Sequence, residues 1–136
     1  MDAAILDTDM LSELLKRKNP QILSHARQYL ASHHRLTYSS MTIYEIVRGL
    51  KATGATRQLS HFHAVINSSE VIPIDLPILM RAADLWAAGK KSGRALDDAD
   101  LLIAATALET DRVLVTGNTA HYSWISGLTL EDWRNA

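Results

Sequence analysis

The chain has 136 residues, enough for one domain of ordinary size with a substantial core, and a single domain over 1–136 is expected. With 14 Lys and Arg against 15 Asp and Glu the formal charge is -1, which excludes the global positive field that draws a protein nonspecifically onto nucleic acid, so a nucleic-acid partner would need a local patch. The absence of Cys excludes disulfides and thiolate metal sites. The opening MDAAILDTDM has neither the basic flank nor the apolar run of a signal peptide, no window approaches a membrane span, and a cytoplasmic protein is the expectation.

In chain order, AAIL (3–6) reads as a buried strand, followed by a helix over 8–18 capped by Thr8 or Asp9. Pro20 starts a second helix that ends near the histidines at 33 and 34. RLTYS (35–39) is a strand, and helices follow over 41–53 and 55–67 with Gly54 between them. EVIPI (70–74) is a short strand, and 76–93 a long amphipathic helix closed by Gly93. A helix over 97–108 comes next, then the strand RVLVTGN (112–118) and an edge strand within 127–133. Short apolar runs alternating with longer amphipathic stretches predict an α/β fold with a largely parallel sheet. Trp86, Trp124 and Trp133 read as packing residues. His61 and His63 diverge by about 200° on a helix, so with His33 and His34 they suit surface or packing roles better than zinc.

The stretch DDADLLIAATAL (97–108) concentrates the functional signal. Asp97 and Asp98 suit the first turn of a helix, where acids cap free N–H groups and meet the positive end of the macrodipole. Asp100 does not fit that explanation, because Ile103, Ala104 and Ala107 at i+3, i+4 and i+7 put it on the inward face. In an open parallel sheet, ligands bind beyond the carboxyl ends of the strands. Asp7 follows AIL there, Thr116, Gly117 and Asn118 follow RVLV, and Glu45 and Asp100 lie in the first turns of helices. Each has a plainer role open to it: Asp7 as an N-cap, Glu45 in a capping box with Thr42, Asn118 as a turn residue. Gathered carboxylates repel, by roughly 1 kcal/mol per pair at 4 Å in water and about 4 at an effective dielectric near 20. A hard divalent cation, magnesium or manganese, matches an all-oxygen donor set and serves phosphodiester hydrolysis. Arg48, Lys51, Lys90, Lys91 and Arg94 supply local positive charge for phosphates, Arg48 foremost.

The blocks ILDTDMLSELL, SSMTIYEIVRGL, DADLLIAATAL and VLVTGNTAHYSWISGLTLEDW, in that order over nearly the whole chain, resemble PIN-domain proteins, specifically VapC-type toxins of toxin–antitoxin modules. The resemblance implies a three-layer α/β/α fold and a Mg2+- or Mn2+-dependent endoribonuclease that acts on RNA, often transfer RNA, to halt translation. It also implies a VapB-type antitoxin as partner and a homodimer. The family's acids fall on Asp7, Glu45 and Asp100 as catalytic and metal-binding residues, and its fourth polar position on Asn118, neutral where many relatives carry Asp. Asp97, one turn before Asp100, offers a compensating charge. Arg48 and Thr116 are the substrate-binding candidates. Two other readings stay open: a metal-free binding module of the same fold, and a haloacid-dehalogenase-type phosphatase, whose first motif AILDTDML also resembles despite Leu11 where that family expects Thr or Val.

Overall fold

Five strands of two or three residues each form one sheet in a computed structural model that describes residues 1–135. The strands are β1 (Ala4–Leu6), β2 (Thr37–Ser39), β3 (Glu70–Ile72), β4 (Val113–Val115) and β5 (Leu130–Glu131). Their order is β3-β2-β1-β4-β5, and every neighbouring pair is parallel. The helices are α1 (Thr8–Lys16), α2 (Pro20–His33), α3 (Ser40–Ala52), α4 (Thr56–Asn67), α5 (Leu76–Ser92), α6 (Asp98–Glu109) and α7 (Thr119–Tyr122).

Period-two alternation sorts the side chains of a strand onto two faces, and both faces of the central strands β1 and β4 are buried, which is why those two read as unbroken apolar runs. Ala4, Leu6, Val113 and Val115 point into a core with Met10, Leu11, Ile22, Tyr29 and Phe62 of α1, α2 and α4. Ile5 and Leu114 point the other way, into a core with Ile78 of α5 and Leu101, Ile103, Ala104 and Ala107 of α6. The result is the three-layer α/β/α arrangement with α6 enclosed on nearly every side. From β1 the chain winds outward to β2 and β3, then returns through α5 and α6 to β4 on β1's other flank. The winding direction reverses at β1, so the turns that follow β1 and β4 open next to each other, the place where such sheets bind ligands.

At the opposite edge, Arg112 ties three strands. Its Nη1 donates to the Ala4 carbonyl (3.3 Å) and Thr37 Oγ1 (3.2 Å), and its Nη2 to Glu70 Oε1 (3.1 Å). Thr37 Oγ1 donates to the same carboxylate at 2.7 Å. Glu70 is held below its ordinary pKa chiefly by the Thr37 bond, with Arg112 adding to it.

Several local expectations are corrected. The cap of α1 is Asp7, not Thr8 or Asp9. Helix α3 is capped by Ser39, whose side chain accepts from Met41 N, so Thr42 and Glu45 lie inside the helix and form no capping box. The edge strand expected within 127–133 is present as Leu130–Glu131. Trp133 is fully buried against Tyr29 and His25, whereas Trp86 is 51 % exposed under Lys90 and does not pack in the core. Among the described residues, no helix is long and apolar enough to cross a membrane.

Candidate active site

Asp7 is the first residue past β1, and its N–H still pairs with Val115 O at 3.0 Å, so the sheet itself fixes its backbone. Its Oδ1 accepts from Met10 N at 2.8 Å, making it the N-cap of α1 while the rest of the carboxylate faces a cleft of about 620 Å³. The cap and the site role coexist in one side chain. Only 6 % of Asp7 is exposed. Burial pushes its carboxyl up to about 6, with the charges of Asp9 and Asp100 acting in the same direction. Hydrogen bonds from Thr116 and Met10 work against that rise. Thr116 is fully buried, and its hydroxyl accepts from Asn118 N at 3.1 Å, so it shapes the following turn and has no surface left for a substrate.

Asp100 sits half-buried in the first turn of α6, where Asp97 caps the helix by accepting Asp100 N at 2.8 Å. The plain capping role expected of Asp97 is the observed one, and its charge acts on Asp100 as well. Asp100 is held above the ordinary aspartate range, first by burial, then by Asp97 and by Glu45. Tyr122 and His121 of α7 oppose that shift, the first through a hydrogen bond from its buried hydroxyl and the second with Nε2 at 3.4 Å from Oδ2. Glu45 reaches the same neighbourhood from α3. Thr8 Oγ1, itself 3.0 Å from Thr42 Oγ1, donates to Glu45 Oε1 at 2.7 Å, and Arg48 Nη2 lies 3.8 Å from Oε2. Arg48 is exposed and stacks over Tyr44 at 5.0 Å.

The structure thus brings Asp7, Asp97 and Glu45 each within electrostatic reach of Asp100. The side chains do not close onto one point: among the described residues, no three His, Asp or Glu form a group that could hold a metal ion. The donor chemistry nonetheless suits a hard cation. Every candidate is oxygen, and the carboxyls of Asp7 and Asp100 are held up first by burial and then by neighbouring acids, strain that a bound cation would relieve. Asn118 is exposed on the cleft wall, and its side chain makes no capping bond to α7. Lys51, Lys90, Lys91 and Arg94 are exposed, Lys90 being 5.5 Å from the centre of the Trp86 ring.

Sequence reasoning missed Thr8, Tyr122, His121 and Arg134. Thr8 could have been found from its place next to Asp7 on the first turn of α1. Tyr122 and His121 belong to a four-residue helix with too little periodicity to announce itself. Arg134 comes from the segment after β5 and lines the cleft beside Asp7, Gly117 and Asn118. Its Nε and Nη2 bond Asp132, and Nη2 also donates to the Gly117 carbonyl.

Buried and half-buried carboxylates gathered beside the switch point of a parallel sheet define a class: α/β/α proteins with an acidic centre at the carboxyl edge. Within that class, the PIN domain family matches residues 4–123, and the chain belongs to that family. Ribonuclease VapC1 of Haemophilus influenzae (strain R2866) is 29 % identical over 132 residues, covering 95 % of this chain and 96 % of the relative. The tRNA(fMet)-specific endonuclease VapC of Shigella flexneri is 24 % identical over 130 residues, with the same two coverages of 95 % and 96 %. Among solved structures, DNA-bound VapBC from Salmonella typhimurium superposes with a TM-score of 0.85 at 26 % identity, covering 98 % of this chain and 99 % of that one. Family membership sets aside the dehalogenase-type reading of AILDTDML.

Proposed function

We propose that the chain is an endoribonuclease of the VapC kind, dependent on a divalent cation, and the toxin of a module whose antitoxin is VapB-like. The observation that carries this reading is the gathering of carboxylates around Asp100 of α6: Asp7, just past β1, Asp97 and Glu45 of α3 each lie within reach of its charge. Asp7, Glu45 and Asp100 would hold Mg2+ or Mn2+, with Asp97 and Asn118 at the periphery. When bound, such an ion activates water and neutralises charge on the phosphate. The chain's own contribution is to keep the acids in place: Met10 N orients Asp7, Thr8 holds Glu45, and His121 lies against Asp100. Arg48 stands beside Glu45 as a contact for RNA phosphate. The names of the relatives support RNA as the substrate, with transfer RNA the favoured class, and the VapBC complex supports an antitoxin partner. A homodimer belongs to the same proposal, since Leu76, Leu79, Met80 and Trp86 on α5 are large apolar side chains left exposed for a second copy to cover.

Glu45 is engaged by Thr8 and Arg48, a feature that, with the open spacing of the acids, favours a metal-free binding module. Incubating the purified protein with total RNA, with magnesium or manganese and then with a chelator, separates the two readings. New 5′ and 3′ ends should appear only with the ion, and Asp100→Asn should form them at least about a hundredfold more slowly. Cleavage that survives chelation, or an Asp100→Asn protein as fast as wild type, would overturn the proposal.

A further inference from the structure

The acidic cleft has one arginine in its wall, and the seat of that arginine is built. Trp133, fully buried, anchors the chain on one side of Arg134, and the Asn135 carbonyl, 2.7 Å from His25 Nε2, anchors it on the other. Asp132 Oδ1 accepts both the Arg134 N–H (2.9 Å) and Nε (3.1 Å), while Oδ2 accepts Nη2 (2.9 Å). The fork is completed by the bond from Nη2 to the Gly117 carbonyl.

Gly117 explains itself only through this seat. Its backbone is not among those with positive φ, so no turn conformation demands glycine there. A Cβ at 117 would lie 3.0 Å from Arg134 Cζ, 3.1 Å from Nε and 3.3 Å from Nη1, tighter than nine in ten real contacts of that kind. The missing side chain is the space in which the guanidinium lies. With Nε and Nη2 committed, Nη1 keeps both of its N–H groups without a hydrogen-bond partner among the described residues, in a cleft whose floor is Asp7. A guanidinium gripped along one edge by a carboxylate offers its remaining donors in a fixed direction, the geometry suited to a phosphate oxygen. An exposed ion pair two residues apart contributes little to stability, so the elaborate seat points to a ligand. The segment lies beyond residues 4–123 matched by the family.

We propose that Arg134 is a substrate-binding residue that receives a backbone phosphate of the RNA at the mouth of the acidic cleft, with Asp132 and Gly117 setting its orientation. This rests on the ribonuclease reading above and adds to it a residue that, with Lys16 in the same cleft, offsets the repulsion between an anionic substrate and the acids.

The test compares wild type, Arg134→Gln, Arg134→Lys and Gly117→Ala. A labelled transfer RNA mixture serves as probe, with steady-state cleavage in Mn2+ and equilibrium binding at several salt concentrations in an Asp100→Asn background. Arg134→Gln should raise KM about tenfold with kcat within about twofold, and should lower the slope of log binding constant against log salt by about one. Arg134→Lys should restore the slope but not all of the affinity, and Gly117→Ala should resemble Arg134→Gln by displacing the guanidinium. Wild-type KM and slope in Arg134→Gln would overturn the inference while leaving the ribonuclease reading standing, even if Gly117→Ala proves too unstable to assay. A wild-type protein that neither binds nor cleaves RNA would overturn both.

Discussion

Removing the charge of Asp7 should stabilise the ion-free protein, and the size of the effect follows from its surroundings. The unfolded chain's carboxyl titrates near 3.8, whereas burial holds the folded one at about 6. The native state therefore keeps the proton more tightly. The stability that protonated Asp7 contributes is fully present below about pH 4, falls as the pH rises from about 4 to about 6, and is gone above that. The ionised group then burdens the fold by on the order of 3 kcal/mol. Asp7→Asn is neutral at every pH and can still accept from Met10 N, since Asn caps helices about as well as Asp. Losing the charge beside the start of α1 forfeits up to about 1 kcal/mol of macrodipole interaction. The net expectation is a gain of about 2 kcal/mol at pH 8, or roughly 4–8 °C in melting temperature for a domain of this size, shrinking to zero or slightly below by pH 4. Urea unfolding of both proteins in a chelating buffer at pH 8, 6 and 4 measures it without screening by added salt. A variant no more stable than wild type at pH 8, or one equally stabilised at pH 4, would refute the assignment of Asp7 as a buried, undercompensated carboxylate.

Thr8→Val removes the hydroxyl that holds Glu45 at 2.7 Å, and cleavage should fall about ten- to a hundredfold with the melting curve nearly unchanged; an unaltered rate would detach Thr8 from the site. Asn118→Asp adds an anionic oxygen ligand to the cleft wall, so activity should saturate at lower manganese concentration; coincident manganese curves would leave Asn118 a turn residue only. Arg112→Met strips the tie among β1, β2 and β3 and should destabilise by about 2 kcal/mol in urea, with unchanged cleavage per folded molecule because the tie lies at the far edge of the sheet. A loss of activity beyond the unfolded fraction would contradict that separation.

The pattern of apolar residues was enough to place all five strands and six of the seven helices in order, because a sheet core buried on both faces leaves continuous runs such as AIL and VLV. The ends were less legible. Thr116, Gly117 and Asn118 extend the VLV run but lie past the end of β4; Thr116 N still donates to Glu131 O of β5 at 2.9 Å, while the Thr116 hydroxyl accepts from Asn118 N and turns the chain away. Asp100 announced itself as a carboxylate on an inward face, and Asp7 by following a strand. Glu45 stood out through its block of sequence rather than its spacing. The residues that support these acids did not stand out, because a threonine, tyrosine or histidine has many ordinary uses and acquires this one only through contacts across 15 or more positions. Arg134 is the clearest instance: nothing within GLTLEDWRNA reveals that Gly117 has left room for its side chain.

The central claim is that acids from β1, α3 and α6 form a single cation site. Isothermal titration of Mn2+ into ion-free wild type, Asp7→Asn, Glu45→Gln and Asp100→Asn tests it without recourse to activity. Saturable binding by wild type, weakened at least about tenfold in each of the three variants, is the expected result. Undiminished binding in any one variant would remove that residue from the site, and undiminished binding in all three would place the ion elsewhere and contradict the account.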